Sequence, residues 1–130
     1  MNPQEFLNKM AETANTFNFE AHMDLISKEV NVFGFPDFDV IKYDDWYNQC
    51  KKEFEDRVLK RVTYQGLYVV AENEEHAMFQ SVETVESTDG RMNISVIEFT
   101  IKKEGDGQWR VVKEQIMENV PNGDESEMND

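Results

Sequence analysis

The stretch "GDGQWRVVKEQI", Gly105–Ile116, decides the fold. Two glycines and an aspartate form a turn, and from Trp109 large apolar residues alternate with charged and polar ones. Alternation with a period of two marks a strand with one buried face. Working back along the chain, "EGDG", "STDG" and "ENEE" separate three earlier runs of similar character. Each separator is rich in residues that favour turns. The reading gives four long, hairpin-linked strands near Val58–Ala71, His76–Ser87, Met92–Lys103 and Gln108–Met117.

The residues before Arg57 have a different rhythm. Asn2 suits a helix cap, Pro3 the first helical position and Glu5 the capping-box position. Phe6, Met10, Ala14 and Phe17 then recur at helical spacing. A short second helix from Asn18 groups Phe19, Met23 and Ile26, and "VNVFGF" (Val30–Phe35) reads as a strand ended by Pro36. A third helix carries Asp44 and Asp45 in its first turn, where carboxylates favour the helix dipole, and Tyr43, Trp46 or Tyr47, Cys50 and Phe54 on its apolar stripe. The expected architecture is an α+β domain over residues 1–118: a cone-shaped, curved, mostly antiparallel sheet packed on three N-terminal helices. Residues 119–130 read as an acidic flexible tail.

Composition narrows the partners. The 130 residues include 13 Lys and Arg against 27 Asp and Glu, a net charge of −14. That balance argues against nucleic acid, whose binding rests on neutralising phosphates, and against an anionic membrane surface. No apolar run reaches the roughly 20 residues of a membrane span, and "MNPQEFLNKM" lacks the basic and apolar regions of a secretory signal. The single cysteine, Cys50, makes no internal disulfide, which suits a reducing, cytoplasmic setting. His22, His76 and Cys50 show no metal-site spacing, and no glycine-rich phosphate loop is present. No cofactor and no metal are expected.

The element order and the closing "GDGQWRVVKEQI" together resemble the nuclear transport factor 2-like superfamily, also called cystatin-like, and within it the SnoaL-like proteins. The resemblance covers residues 3 to 118 and includes the recurrent ending of glycine, tryptophan, an aliphatic residue and a polar or aromatic finish. Many members place a histidine where this chain has Gln115. The resemblance implies a cone with an interior pocket and a homodimer formed sheet to sheet.

Strand alternation then assigns faces. With Lys103 opposite Trp109, an unbroken register sets Ile101 against Val111, Phe99 against Lys113 and Ile97 against Gln115. Phe79 and Tyr68 join the Ile101 row, and Tyr64 and Glu83 join the row of Ile97 and Gln115. The expected pocket is therefore lined by Trp46, Tyr68, Phe79, Ile97, Phe99, Ile101, Trp109, Val111 and Gln115, beneath the first and third helices. The opposite face, with Leu67, Val69, Val82, Val96, Val112 and Ile116 among Arg110, Glu114, Gln80 and Glu98, has no helix to cover it and fits a homodimer contact.

The candidate catalytic residues are Glu83, Tyr64 and Lys113. A glutamate in a dry pocket has its charged form disfavoured, which suits acid/base work. Tyr64 and Lys113 would polarise an oxygen. Relatives similar to ketosteroid isomerase carry a catalytic aspartate around this part of the chain; here "GFPDFDV" offers two candidates, Asp37 and Asp39, and no clear motif, so both read as helix- or turn-capping residues. His22 and Cys50 read as packed residues. Two functions stay open. One is a cofactor-independent isomerase, cyclase, dehydratase or hydrolase of a small apolar molecule. The other is a non-catalytic ligand-binding or protein-interaction domain.

Overall fold

A computed structural model describes residues 2–121. Helix α1 (Pro3–Asn15) starts as its sequence directs, with the Asn2 side chain accepting a hydrogen bond from the Glu5 amide at 2.8 Å. It buries Phe6, Leu7, Met10 and Ala14. Helix α2 (Phe19–Met23) is capped by Asn18. Strand β1 (Ile26–Phe33) begins four residues before the expected Val30 and ends two before the expected Phe35. Its early start has a visible cause: the Val111 amide donates to the Leu25 carbonyl at 2.9 Å, so the chain is committed to the sheet before Ile26. A two-residue strand β2 (Ile41–Lys42), absent from the sequence reading, precedes α3 (Tyr43–Glu55). The Asp45 carboxylate accepts from the Lys42 amide at 3.1 Å at the start of α3.

Strands β3 (Leu59–Glu72), β4 (His76–Ser87), β5 (Met92–Lys103) and β6 (Trp109–Pro121) follow, close to the expected limits. The sheet order is β2-β1-β6-β5-β4-β3. Every neighbouring pair is antiparallel except β1 with β6, which is parallel, so the sheet is mixed. The acidic tail expected at 119–130 begins inside β6, and its remainder lies outside the described residues.

The helices cover one sheet face, and the core lies between them. Phe6, Leu7 and Met10 of α1 meet Phe79, Phe99, Ile97, Ile101 and Val111 of the sheet, all at 2% exposure or less. Full burial of side chains of this size contributes about 1.5–3 kcal/mol each. Phe79 and Phe99 pack edge to face with centroids 6.0 Å apart.

Three local devices shape the sheet. Gly34 has φ +86, and a Cβ there would meet the Ile116 carbonyl oxygen at 2.2 Å, so only glycine lets the end of β1 approach β6. The free edge of β3 is occupied at Val62 by the Asn15 side chain, which accepts from the Val62 amide at 2.7 Å and donates to its carbonyl at 2.9 Å. Bulges interrupt β3 near Gly66 and β6 at two places. At the first of these, Ser81 Oγ donates to the carbonyls of Gln65 and Gly66. No described helix is long and apolar enough to cross a membrane.

Candidate functional site

The two bulges in β6 decide what the cone contains. Lys103 pairs with Trp109 and Ile101 with Val111, in the expected register. Beyond that point Thr100 pairs with Lys113, so Val112 is an extra residue, and every later side chain changes face. Phe99 consequently pairs with Glu114, and Glu98 with Gln115. A second bulge at Met117 follows the Ile97–Ile116 pair.

This corrects two inward placements. Lys113 is exposed on the outer side, with its ammonium 5.6 Å from the Phe33 ring centroid. Gln115 shares the outer side with Glu98 and donates only to the Ile116 carbonyl, at 3.4 Å. Glu114 and Ile116, both expected outside, turn inward instead. Glu114 is 8% exposed, with Val32 of β1 on one side and Phe99 of β5 on the other.

Tyr64 and Glu83 are direct cross-strand partners in β3 and β4, and the Tyr64 hydroxyl donates to Glu83 Oε2 at 2.8 Å. The Tyr64 ring also lies 6.3 Å from that of Phe99, which brings the phenol toward the Glu114 row. Burial raises the pKa of Glu83 above the ordinary glutamate value; the Tyr64 hydrogen bond opposes that shift, and the Glu53 charge adds to it. Burial pushes the Glu114 pKa well up, and the neighbouring Glu83 charge pushes it further. The Tyr64 phenol is raised by burial first, then by Glu83 and Glu114. Glu53, on α3 seven residues after Trp46, is raised by burial and eased by Gln49. Tyr64, Glu83 and Glu53 all keep intermediate exposure, so this acidic cluster is not sealed. Chemically, it holds carboxyls whose neutral form burial favours, the kind of group suited to proton transfer.

The remaining candidates are distributed otherwise. Phe79, Ile97, Phe99, Ile101 and Val111 are closed core rather than open lining, each at 1% exposure or less. Trp46 and Trp109 are half-buried against that core. Tyr68 is 65% exposed, because the bulge near Gly66 pairs it with Gln80 on the outer side. The same bulge pairs Val69 with inward-facing Phe79. His22 is buried, shares a hydrogen bond with Thr13 Oγ1 at 2.8 Å and packs on Phe54. Burial lowers its pKa to about 4. Cys50 is free and buried, its thiol pushed up to about 12 by desolvation. Asp37 and Asp39 are exposed in the link after β1.

Glu114 and Glu53 were missed by sequence reasoning. For Glu114 a signal exists: the Val111-Val112 doublet breaks the alternation, and an unbroken register would leave Ile116 outside. For Glu53 the signal is its helical spacing from Trp46.

A groove of about 870 Å³ lies elsewhere, between α2, the start of β1, α3 and the β5–β6 turn. Its best-placed cation is fully engaged: Arg110 bonds Asp106 through two nitrogens at 2.9 Å, Glu104 at 3.1 Å, and both the carbonyl and the carboxylate of Asp24. Those bonds fasten the turn to α2 and engage the groove's arginine, while Lys28, Lys102 and Lys103 also line it; for acid/base chemistry the hydrogen-bonded Tyr64 and Glu83, with Glu114 on the same sheet face, are the stronger candidate. Among the described residues, no three His, Cys, Asp or Glu side chains converge closely enough to hold a metal ion.

No protein-family model and no curated protein sequence matches the chain. Solved structures do. A nuclear transport factor 2-like protein of unknown function from Shewanella oneidensis matches with a TM-score of 0.71 at 13% identity, over 87% of this chain and 93% of that one. A protein from Novosphingobium aromaticivorans provisionally named a scytalone dehydratase matches at 0.67 and 14% identity, over 90% and 83%. Another from the same organism, provisionally named an aromatic ring hydroxylase, matches at 0.68 and 12%, over 91% and 89%. At such identities the likeness speaks for architecture, and the function must be argued from the site. The chain has the nuclear transport factor 2-like, cystatin-like fold.

Proposed function

We propose that the acidic chamber is a proton-transfer site for a small, largely apolar molecule, with Glu83 and Glu114 moving the proton and Tyr64 polarising an oxygen. The reaction class is isomerisation, cyclisation, dehydration or hydrolysis, which these side chains can serve without a cofactor. One observation carries the reading: a half-buried Tyr64–Glu83 pair at 2.8 Å, with a second carboxyl, Glu114, turned to the same sheet face where the Glu83 charge acts on it. Two carboxyls that disfavour each other's charge supply an acid and a base in one place. Lys113, expected to assist, is turned outward and takes no part.

The test is exchange of α-hydrogens for deuterium in a panel of small cyclic ketones, followed by NMR with no cofactor added. Wild-type protein is expected to accelerate exchange, Glu83→Gln to abolish the acceleration while folding normally, and Glu12→Gln, on the exposed side of α1, to leave it unchanged. Equal exchange by wild type and Glu83→Gln, with an ordinary Glu83 titration, would end this reading. It would favour the second one, a non-catalytic ligand-binding or protein-interaction domain, which the exposed run Leu67, Tyr68, Val69 and Val70 supports. A homodimer through the outer sheet face is part of the proposal, as is a cytoplasmic setting suited to free Cys50. Val112→Glu on that face is expected to give monomers in sedimentation velocity; an unchanged dimer would remove Val112 from the interface.

A further inference from the structure

Glu114 stands apart among the buried polar side chains. His22, Ser27 and Ser81 each have hydrogen-bond partners at 2.7–2.8 Å. Among the described residues nothing donates to Glu114, although it is more than nine-tenths buried between Val32 and Phe99. Its oxygens are not sealed either, since no fully enclosed side-chain oxygen lacks a partner. A carboxylate held this way has no protein donor among the described residues, and leaving it ionised with little water around it is costly.

Among the described residues, no cation is shown to meet it. Lys113 is turned outward by the Val112 bulge, and Arg110 is bound to Asp24, Glu104 and Asp106 at the far end of the sheet. A bound metal ion is a poor fit, because the carboxylates do not converge as ligands. Glu83 is already engaged by Tyr64, and its charge beside Glu114 makes the chamber hostile to anions. What remains is an organic donor that carries positive charge on an apolar body.

We infer that the chamber selects small apolar amines, with the ammonium group donating to the Glu114 carboxylate while Ile116, turned inward two residues further along β6, contacts the apolar body. This rests on the reading of the chamber as a small-molecule site and names the class of molecule it takes. The charge-assisted hydrogen bond supplies affinity, and the apolar Val32 and Phe99 neighbours lower the local dielectric around it.

The experiment compares benzylamine, benzyl alcohol and benzoate at neutral pH, with the full-length protein labelled at its isoleucine methyl groups and Ile116 followed by NMR. Benzylamine is expected to move the Ile116 signal with an affinity about tenfold or more above that of benzyl alcohol, the size of one charge-assisted hydrogen bond. Benzoate should leave it unmoved. Glu114→Gln, and separately Glu114→Leu, should erase the amine preference, whereas the surface change Glu12→Gln should keep it. Equal binding of amine and alcohol, or a preference that survives in both Glu114 variants, would overturn the inference and leave the chamber standing as a ligand site. If neither compound moves Ile116, the small-molecule reading of the chamber fails as well.

Discussion

Tyr64 and Glu83 face each other across β3 and β4, and the phenol donates to the carboxylate at 2.8 Å. This hydrogen bond is the influence that lowers the Glu83 pKa against burial. Tyr64→Phe should therefore raise Glu83 further above the ordinary value, as read by carbon NMR of labelled glutamates. It should also slow any proton-transfer activity about tenfold or more, within the usual scale of acid–base contributions. A Glu83 titration unaffected by the change would mean that the pair is not coupled in solution.

Glu114 should weaken the fold at neutral pH. Its pKa is raised in the folded state, so the native protein holds a proton more tightly than the unfolded chain does. Stability from this group is complete below the ordinary value of 4.5 and is lost as pH rises through the elevated folded value. Glu114→Leu should gain about 1–3 kcal/mol in urea denaturation at neutral pH and flatten that decline. A destabilised variant with the same pH slope would contradict the unpaired state of the carboxylate.

His22 acts with the opposite sign. Its folded pKa is lowered from 6.5 to about 4, so the unfolded chain binds the proton first as the solution is acidified. Stability from neutral His22 is present above pH 6.5 and is lost as pH falls toward about 4, a loss of about 3 kcal/mol at 1.36 kcal/mol per unit. His22→Gln should remove this slope. Because the two effects partly offset each other between pH 4.5 and 6.5, each must be taken as a difference between variant and wild type.

Asn15 should matter beyond its size. Its amide closes the β3 edge at Val62 with two hydrogen bonds. Asn15→Ala should cost about 1–3 kcal/mol and raise light scattering on mild heating, because an uncovered strand edge invites pairing between molecules. A variant as stable and as soluble as wild type would show that solvent satisfies that edge equally well.

The sequence was most informative where the chain repeats a simple rule. The caps of α1, the turns "STDG" and "EGDG" and the strands His76–Ser87 and Met92–Lys103 follow from local chemistry, and the structure has them at those places. Strand alternation held along β4 and β5, which pair without interruption. It failed where a single inserted residue resets the period, at Val112 in β6 and near Gly66 in β3, because a bulge satisfies the backbone without leaving a composition signal as strong as a turn. Gly66 alone was a usable warning, since an isolated glycine in a strand often marks a bulge. Tyr64 and Glu83 were brought together despite a shift of row, whereas Lys113 and Glu114 exchanged sides. Parallel pairing of β1 with β6 was beyond local reading, since it joins segments about eighty residues apart in the chain.

The Val112 bulge also means that β6 encodes two interiors of opposite charge, one residue of slippage apart. Pairing Val112 with Thr100 would shift the following residues by one and carry Lys113 inward while Glu114 leaves, whereas excising Val112 removes that alternative and keeps Glu114 opposite Phe99. A one-residue deletion thus fixes the acidic interior, a slip of one residue inverts it, and gapless comparison of such strands pairs residues that point in opposite directions.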